Sequence, residues 1–177
     1  MRIIGGKYKS RVLSSFDGTE IRPTADRTKE ALFNILYTKV TGARVLDLFC
    51  GSGSLGIECI SRGASEVVFN DARKESIALL KKNLQKINEK GVVYNLDYLA
   101  LLKGVKPSFD LIFLDPPYYA DFGVIALREI GKSALLKADG IVVYERDRKF
   151  EEEVEGLELY DERKYGKSYL SFFKKGE

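Results

Sequence analysis

The chain contains no histidine and only two cysteines, Cys50 and Cys59. Without an imidazole there is no Ser-His or Cys-His nucleophile pair, and the usual general base near neutral pH is missing. The two cysteines are nine positions apart, so they form neither a CxxC redox pair nor half of a zinc site. They read as small buried apolar side chains in a reducing compartment, and no spacing suggests a bound metal. Chemistry must then come from carboxylates, backbone groups, aromatics or a cofactor. Proline is scarce, with four residues in 177. No segment approaches the ~18–20 uncharged apolar residues of a membrane span. Met1-Arg2-Ile3-Ile4-Gly5-Gly6-Lys7 has no apolar signal-peptide core. The expectation is a soluble cytoplasmic protein that needs no membrane.

What is present suits one domain spanning 1–177. Hydrophobic residues make up 45% and charged residues 31%, which excludes a disordered chain. A chain this long can bury roughly 70% of the surface its unfolded form exposes. The net charge of +3 is unevenly spread. Residues 1–44 carry nine basic and four acidic side chains, residues 45–144 twelve of each, and residues 145–177 eight and ten. Arg2, Lys7, Lys9 and Arg11 precede any acid, an electrostatic footprint suited to a polyanion. Glu151, Glu152, Glu153 and Glu155 read as a solvated face turned away from nucleic acid.

Hydrophobic periodicity divides the chain at about residue 42. Residues 1–42 read as a basic extension: a strand-like stretch, Ile3–Ser15, and an amphipathic helix, Asp26–Tyr37. That helix would be capped by Thr24 or Asp26, with Ala31, Leu32, Ile35 and Leu36 inward. Residues 43–177 read as an α/β core. Buried strands are expected at 44–48, 66–71, 91–94, 109–115 and 140–145, with helices at 55–61, 73–90, 98–103 and 122–136. Alternation of this kind predicts a Rossmann-like, mostly parallel sheet. Leu157–Lys164 and Tyr169–Lys174 flank Tyr165-Gly166-Lys167-Ser168 and predict a C-terminal antiparallel hairpin.

Two motifs carry chemistry. Gly51, Gly53 and Gly56 form a G-x-G-x-x-G loop between a strand and a helix, and Asp71 follows twenty residues after Gly51. This is the layout of an adenosine-binding loop, in which the acid accepts from ribose hydroxyls. Asp47 ends the preceding strand. A carboxylate aimed at a pyrophosphate would meet ~1–4 kcal/mol of repulsion at ~4 Å, depending on the effective dielectric. It would favour a ligand that is cationic there. S-adenosylmethionine, with an ammonium and a sulfonium but no phosphate, fits better than NAD. An NAD-dependent dehydrogenase shares the glycine pattern but leaves the second motif unexplained.

That second motif is Asp115-Pro116-Pro117-Tyr118, at the end of the fourth expected strand. Consecutive prolines stop the strand and stiffen its backbone. Ligands of open α/β sheets bind at this end, so Asp115 and the Pro116 carbonyl would face the cleft with Tyr118 as a stacking surface. An exocyclic base amine is a poor nucleophile, because its lone pair is delocalised into the ring. Two acceptors taking its N–H groups would pull the nitrogen toward tetrahedral geometry and aim the lone pair at the donor methyl. Aromatic stacking would hold an unstacked or single-stranded base. An adenine-N6 enzyme would share this motif.

Asp47-Leu48-Phe49-Cys50-Gly51-Ser52-Gly53 together with Asp115-Pro116-Pro117-Tyr118 resembles the class I S-adenosylmethionine-dependent methyltransferases acting on planar amino groups. Ile21-Arg22-Pro23-Thr24-Ala25-Asp26-Arg27-Thr28-Lys29-Glu30-Ala31-Leu32-Phe33-Asn34 resembles the signature of the RsmD family, bacterial small-subunit ribosomal RNA guanine-N2 methyltransferases. The likeness runs over essentially the whole chain. It implies that Asp47, Phe49, Gly51, Ser52 and Gly53 hold the methionine part of the cofactor. Asp71 would meet the ribose, and Asp97 the adenine amine unless it serves only as a helix N-cap. Asp115, Pro116, Pro117 and Tyr118 would hold the target guanine, with Asp115 also bordering the cofactor. Arg22, Thr24 and Arg27 would cover the cleft and touch RNA, with Arg2, Lys7, Lys9 and Arg11 on phosphates. The implied partner is 16S ribosomal RNA within the small subunit or an assembly intermediate.

Overall fold

Short β-branched and aromatic runs such as Arg44-Val45-Leu46-Asp47 and Phe109–Leu114 bury both faces, so they form the centre of a sheet. The computed structural model describes residues 1–16, 23–106, 108–118 and 120–177, with the side chains of Pro23 and Thr24 outside that set. Arg22 therefore lies outside the described residues, as does the side chain of Thr24. The strands are β1 (Arg44–Asp47), β2 (Glu66–Asn70), β3 (Val92–Tyr94), β4 (Phe109–Leu114), β5 (Leu136–Arg146), β6 (Leu157–Tyr165) and β7 (Ser168–Lys175). They form one sheet in the order β3-β2-β1-β4-β5-β7-β6. β1 to β5 are parallel, and β7 pairs antiparallel with both β5 and β6. The expected Rossmann-like α/β class, with its closing hairpin, is what the chain adopts.

Helices cover both faces. α1 (Pro23–Ile35), α2 (Ser54–Ser61) and α3 (Lys74–Lys86) lie on one side, where Leu32, Phe33, Ile57 and Leu80 meet Val45, Leu111 and Phe113. α4 (Tyr98–Gly104) and α5 (Phe122–Gly131) lie on the other, where Leu101, Ala126, Leu127 and Ile130 meet Leu46, Ile112 and Val142. The sequence order reverses beside β1, where β2 lies on one side and β4 on the other. This is the switch point at which the carboxyl ends of the strands open a crevice.

Several expectations need correction. Ile3–Ser15 is not a strand; it folds back on itself through a single Arg2–Val12 bridge and packs on α2. α1 begins at Pro23, a favoured first helical residue, so Thr24 and Asp26 lie within the first turn rather than at the cap. Leu32 and Phe33, with Leu36 just past its end, supply its buried stripe, while Ala31 and Ile35 are half-buried. α5 stops at Gly131 and β5 starts at Leu136, because Phe109 takes Leu136 as its neighbour before the pairing slips to Leu111–Ile141. α3 ends at Lys86 rather than Lys90. β3 is an edge strand with Val92 and Tyr94 exposed, not buried on both faces. Glu152 is not simply solvated, since it grips the buried guanidinium of Arg146 at 2.8 Å.

Candidate active site

Every parallel strand delivers an acid to the same end of the sheet. Asp47 closes β1, Asp71 follows β2, Asp97 follows β3, Asp115 follows β4 and Glu145 lies near the end of β5. The first four line a cleft of about 630 Å³ with Phe49, Gly51, Ser52, Tyr98, Pro116, Pro117, Tyr118 and Phe122.

The glycine loop is held by backbone demands. Gly53 initiates α2 at φ +92°, and a Cβ there would lie 2.4 Å from Leu80 Cδ1. A Cβ on Gly56 would lie 2.2 Å from the ring of Phe69, so only glycine lets α2 approach β2 this closely. Asp71 secures the loop from the far side, accepting from the Gly51 amide at 3.0 Å and the Arg73 amide at 2.9 Å. Asn70, buried behind it, joins the strand ends by donating to the carbonyls of Leu48 and Leu96.

Asp47 is 2% exposed and accepts one hydrogen bond, from the Gly56 amide at 3.0 Å. Burial, with a smaller contribution from the Asp71 charge, pushes its carboxyl up to about 7. No cation of the chain pairs with it among the described residues. Asp97 is the N-cap of α4, accepting from the amides of Leu99 and Ala100 through Oδ1, and it also lines the cleft. The N-cap alternative is thus what the side chain does within the chain, and its place in the cleft leaves Oδ2 open toward the cavity. Phe49 stacks on Tyr98 at 5.3 Å and Tyr98 on Phe122 at 5.2 Å, forming one aromatic wall.

Asp115 opens on the water of the cleft, yet protein crowds it from every other side. That crowding, and then the charges of Glu145 and Asp47, hold its carboxyl well above the ordinary carboxylate range. Leu114 pairs with Tyr144, so the next residues, Asp115 and Glu145, sit side by side on one face. Burial raises Glu145 too. The Tyr118 hydroxyl lies 3.5 Å from Glu145 Oε1 and 3.2 Å from Ser168 Oγ, tying the Pro-Pro-Tyr turn to β5 and the hairpin.

Sequence reasoning missed Glu145, Tyr98, Phe122 and Phe16. The acid at the end of each strand was a readable signal for Glu145. Phe16 carried none, because it reaches the cleft only where Ser14 is clamped by Asn83. There it lies 5.2 Å beneath the Arg73 guanidinium. Cys50 and Cys59 are free and buried, and burial pushes both thiols up, away from nucleophilic use.

The basic N-terminal residues are not gathered at the cleft. The segment is pinned to α2, where Glu58 accepts from the amides of Ile4 and Gly5 and Ser61 Oγ from that of Tyr8. Arg2 lies near the cleft, pairing with Asp26 at 3.5 Å, while its carbonyl accepts from Lys29, which also reaches Ser54. Lys7 pairs with Glu89 and Arg11 donates to the Lys86 carbonyl, both near the far end of α3. That end is about 18 Å along the helix from its cleft end. Lys9 and Arg27 are exposed.

A model of the family described as "Conserved hypothetical protein 95" matches residues 1–174. The chain is 37% identical over 182 residues to "Putative rRNA methyltransferase YlbH" of Bacillus subtilis, covering 99% of each chain. It is 37% identical over 153 residues to ribosomal RNA small subunit methyltransferase D of Haemophilus influenzae, covering 84% of this chain and 79% of that one. Its fold superposes on the solved structure of "Putative methyltransferase yhhF" of Escherichia coli with a TM-score of 0.86 and 28% identity. That match covers 99% of this chain and 97% of the other. Matched along nearly its whole length, the chain is an RsmD-like member of the Conserved hypothetical protein 95 family, built on the Rossmann-like fold of the methyltransferases.

Proposed function

We propose that this chain methylates the exocyclic N2 amine of a guanine in small-subunit ribosomal RNA, using S-adenosylmethionine, on the subunit or an assembly intermediate in the cytoplasm. The observation that carries this reading is the adjacency of Asp115 and Glu145 beside a proline-stiffened turn, at a cleft whose other lining acids pair with no basic side chain among the described residues. The names of the relatives, which refer to rRNA and the small ribosomal subunit, support it.

The donor set suits the cofactor. Asp47, buried and unpaired with any described cation, would take the ammonium of the methionine part. Asp71, already aimed by two backbone amides, retains lone pairs for ribose hydroxyls. Asp97 Oδ2 would take the adenine amine, with the Phe49–Tyr98–Phe122 wall as the apolar side. When bound, the cofactor supplies an electrophilic methyl on a sulfonium.

The chain's own residues prepare the acceptor. Guanine presents two adjacent donor groups on one edge, N1–H and N2–H2, whereas adenine presents an acceptor at N1. In their ionised form the Asp115 and Glu145 carboxylates are acceptors only, as the Pro116 carbonyl always is. They match guanine and leave the adenine N1 lone pair facing like charge. Asp115 and the Pro116 carbonyl draw the amine toward tetrahedral geometry, and Tyr118 offers its ring for stacking. The raised proton affinity of Asp115 suits it to receive the proton that the methylated nitrogen loses.

The test is to incubate the protein with methyl-labelled cofactor and undermethylated small subunits, then identify the labelled nucleoside by mass spectrometry. N2-methylguanosine is expected. Label in an adenosine derivative, or in protein alone, would overturn the assignment.

A further inference from the structure

We infer that the tip of the C-terminal hairpin, with the turn after β5, is an RNA-phosphate docking surface beside the cleft mouth; this rests on the proposed RNA substrate. Charge counting hides this surface, because residues 145–177 sum to −2. Folding separates the signs. Glu155 and Glu158 sit at the opposite end of the hairpin from the β6–β7 turn, where the bases collect, and Glu152 is taken up by the buried Arg146.

A second cavity, of about 490 Å³, is lined by Asp147, Arg148, Lys149, Lys164, Lys167 and Tyr169, with Gly166 at the turn. Four bases face one acid. Lys149, Lys164 and Lys167 are exposed, and none pairs with a carboxylate among the described residues. Lys164 Nζ lies over the Tyr169 ring, 5.3 Å from its centre, which keeps the ammonium at the surface without neutralising it. Arg148 is held by Asp121 at 3.4 Å and Asp147 at 3.6 Å, so its charge is partly spent within the chain.

Two contacts place this surface at the cleft. Ser168, between Lys167 and Tyr169, reaches the Tyr118 hydroxyl at 3.2 Å. Asp121, which Arg148 grips, directly precedes the cleft residue Phe122. A strand whose target base entered beside Tyr118 would therefore run its flanking phosphates past the lysines. A two-residue turn between paired strands holds them there, with Tyr165 opposite Ser168. The pinned N-terminal segment places Lys7 and Arg11 near the far end of α3, so the hairpin is the closer basic surface to the reacting amine.

The test compares wild type with the K149Q/K164Q/K167Q triple variant and its arginine counterpart, K149R/K164R/K167R, using the RNA of undermethylated small subunits. Three lost phosphate contacts to single-stranded RNA should reduce the slope of log binding constant against log salt by about 2. Affinity should fall about a hundredfold at 0.1 M salt. KM for RNA should rise, while kcat and the affinity for S-adenosylhomocysteine stay unchanged and the arginine variant behaves as wild type. Loss of the melting transition in the glutamine variant would shift the decision to K164Q and K167Q alone, each expected to reduce the slope by about 0.7. An unchanged salt slope and KM in folded variants would overturn the inference while leaving the methyltransferase reading intact. A wild-type protein that neither binds nor methylates the RNA would remove both.

Discussion

Asp47 couples cofactor binding to pH. Its carboxyl is pushed up from an ordinary value of 3.8 to about 7 by burial, with no cation beside it among the described residues. Between these values the folded chain holds a proton that the unfolded chain has released. The empty protein therefore loses stability as pH rises from about 4 through about 7, by up to about 4 kcal/mol. A ligand ammonium beside Asp47 reverses the preference, favouring the carboxylate and expelling the proton on binding. The protonated fraction of a group titrating near 7 is about nine-tenths at pH 6 and one-tenth at pH 8. Affinity for S-adenosylhomocysteine should then strengthen about tenfold across that range. Calorimetry at pH 6 in two buffers of different ionisation enthalpy should show release of nearly one proton. Asp47→Asn retains the acceptor for the Gly56 amide but carries no charge. It should abolish the Asp47-linked proton release and bind more weakly at pH 8, by roughly 10- to 100-fold for a lost charge-assisted hydrogen bond. Asp71, Asp115 and Glu145 remain in the variant, so any pH dependence that survives belongs to them. A wild-type affinity that is flat from pH 6 to 8, or a variant releasing as many protons as wild type, would refute the reasoning.

Asp115→Ala should abolish methyl transfer to RNA while leaving cofactor affinity within a few-fold; collapse of cofactor binding, measured by equilibrium titration, would reassign the residue. Glu145→Gln supplies an amide donor where guanine offers N1–H, so it should slow methylation of guanine-containing RNA. It should raise the relative rate on RNA carrying 2-aminopurine at the target, whose N1 is an acceptor. An unchanged rate ratio would exclude Glu145 from base recognition. Gly56→Ala forces a Cβ to 2.2 Å from the Phe69 ring and should cost about 1–3 kcal/mol in chemical denaturation.

The order of elements, the glycine loop and the proline-stiffened turn were legible in the sequence, because each is written locally. A strand buried on both faces is a continuous apolar run, a tight loop needs glycine, and proline stops a strand wherever it stands. The elements that misread are those decided by partners. Leu135-Leu136 is as apolar as a helix end, and only its pairing with β4 makes it strand. Ile3–Ser15 alternates like a strand, but the amides of Ile4, Gly5, Lys7 and Tyr8 go to Glu58 and Ser61 of α2, and those of Ile3, Ser10 and Leu13 go to carbonyls of the same folded-back segment.

The same division governs the site. Sequence alone determined that this protein has a parallel α/β core with acids at the strand ends and no imidazole to help them. Tertiary structure decided which of those acids become neighbours, since Asp115 and Glu145 are thirty positions apart and come side by side through the β4–β5 register. It also decided that Lys7 and Arg11 lie at the far end of α3 while the hairpin's lysines converge beside the cleft. Charge is a property of composition, but a field depends on distance, and distance is set only when the chain has folded.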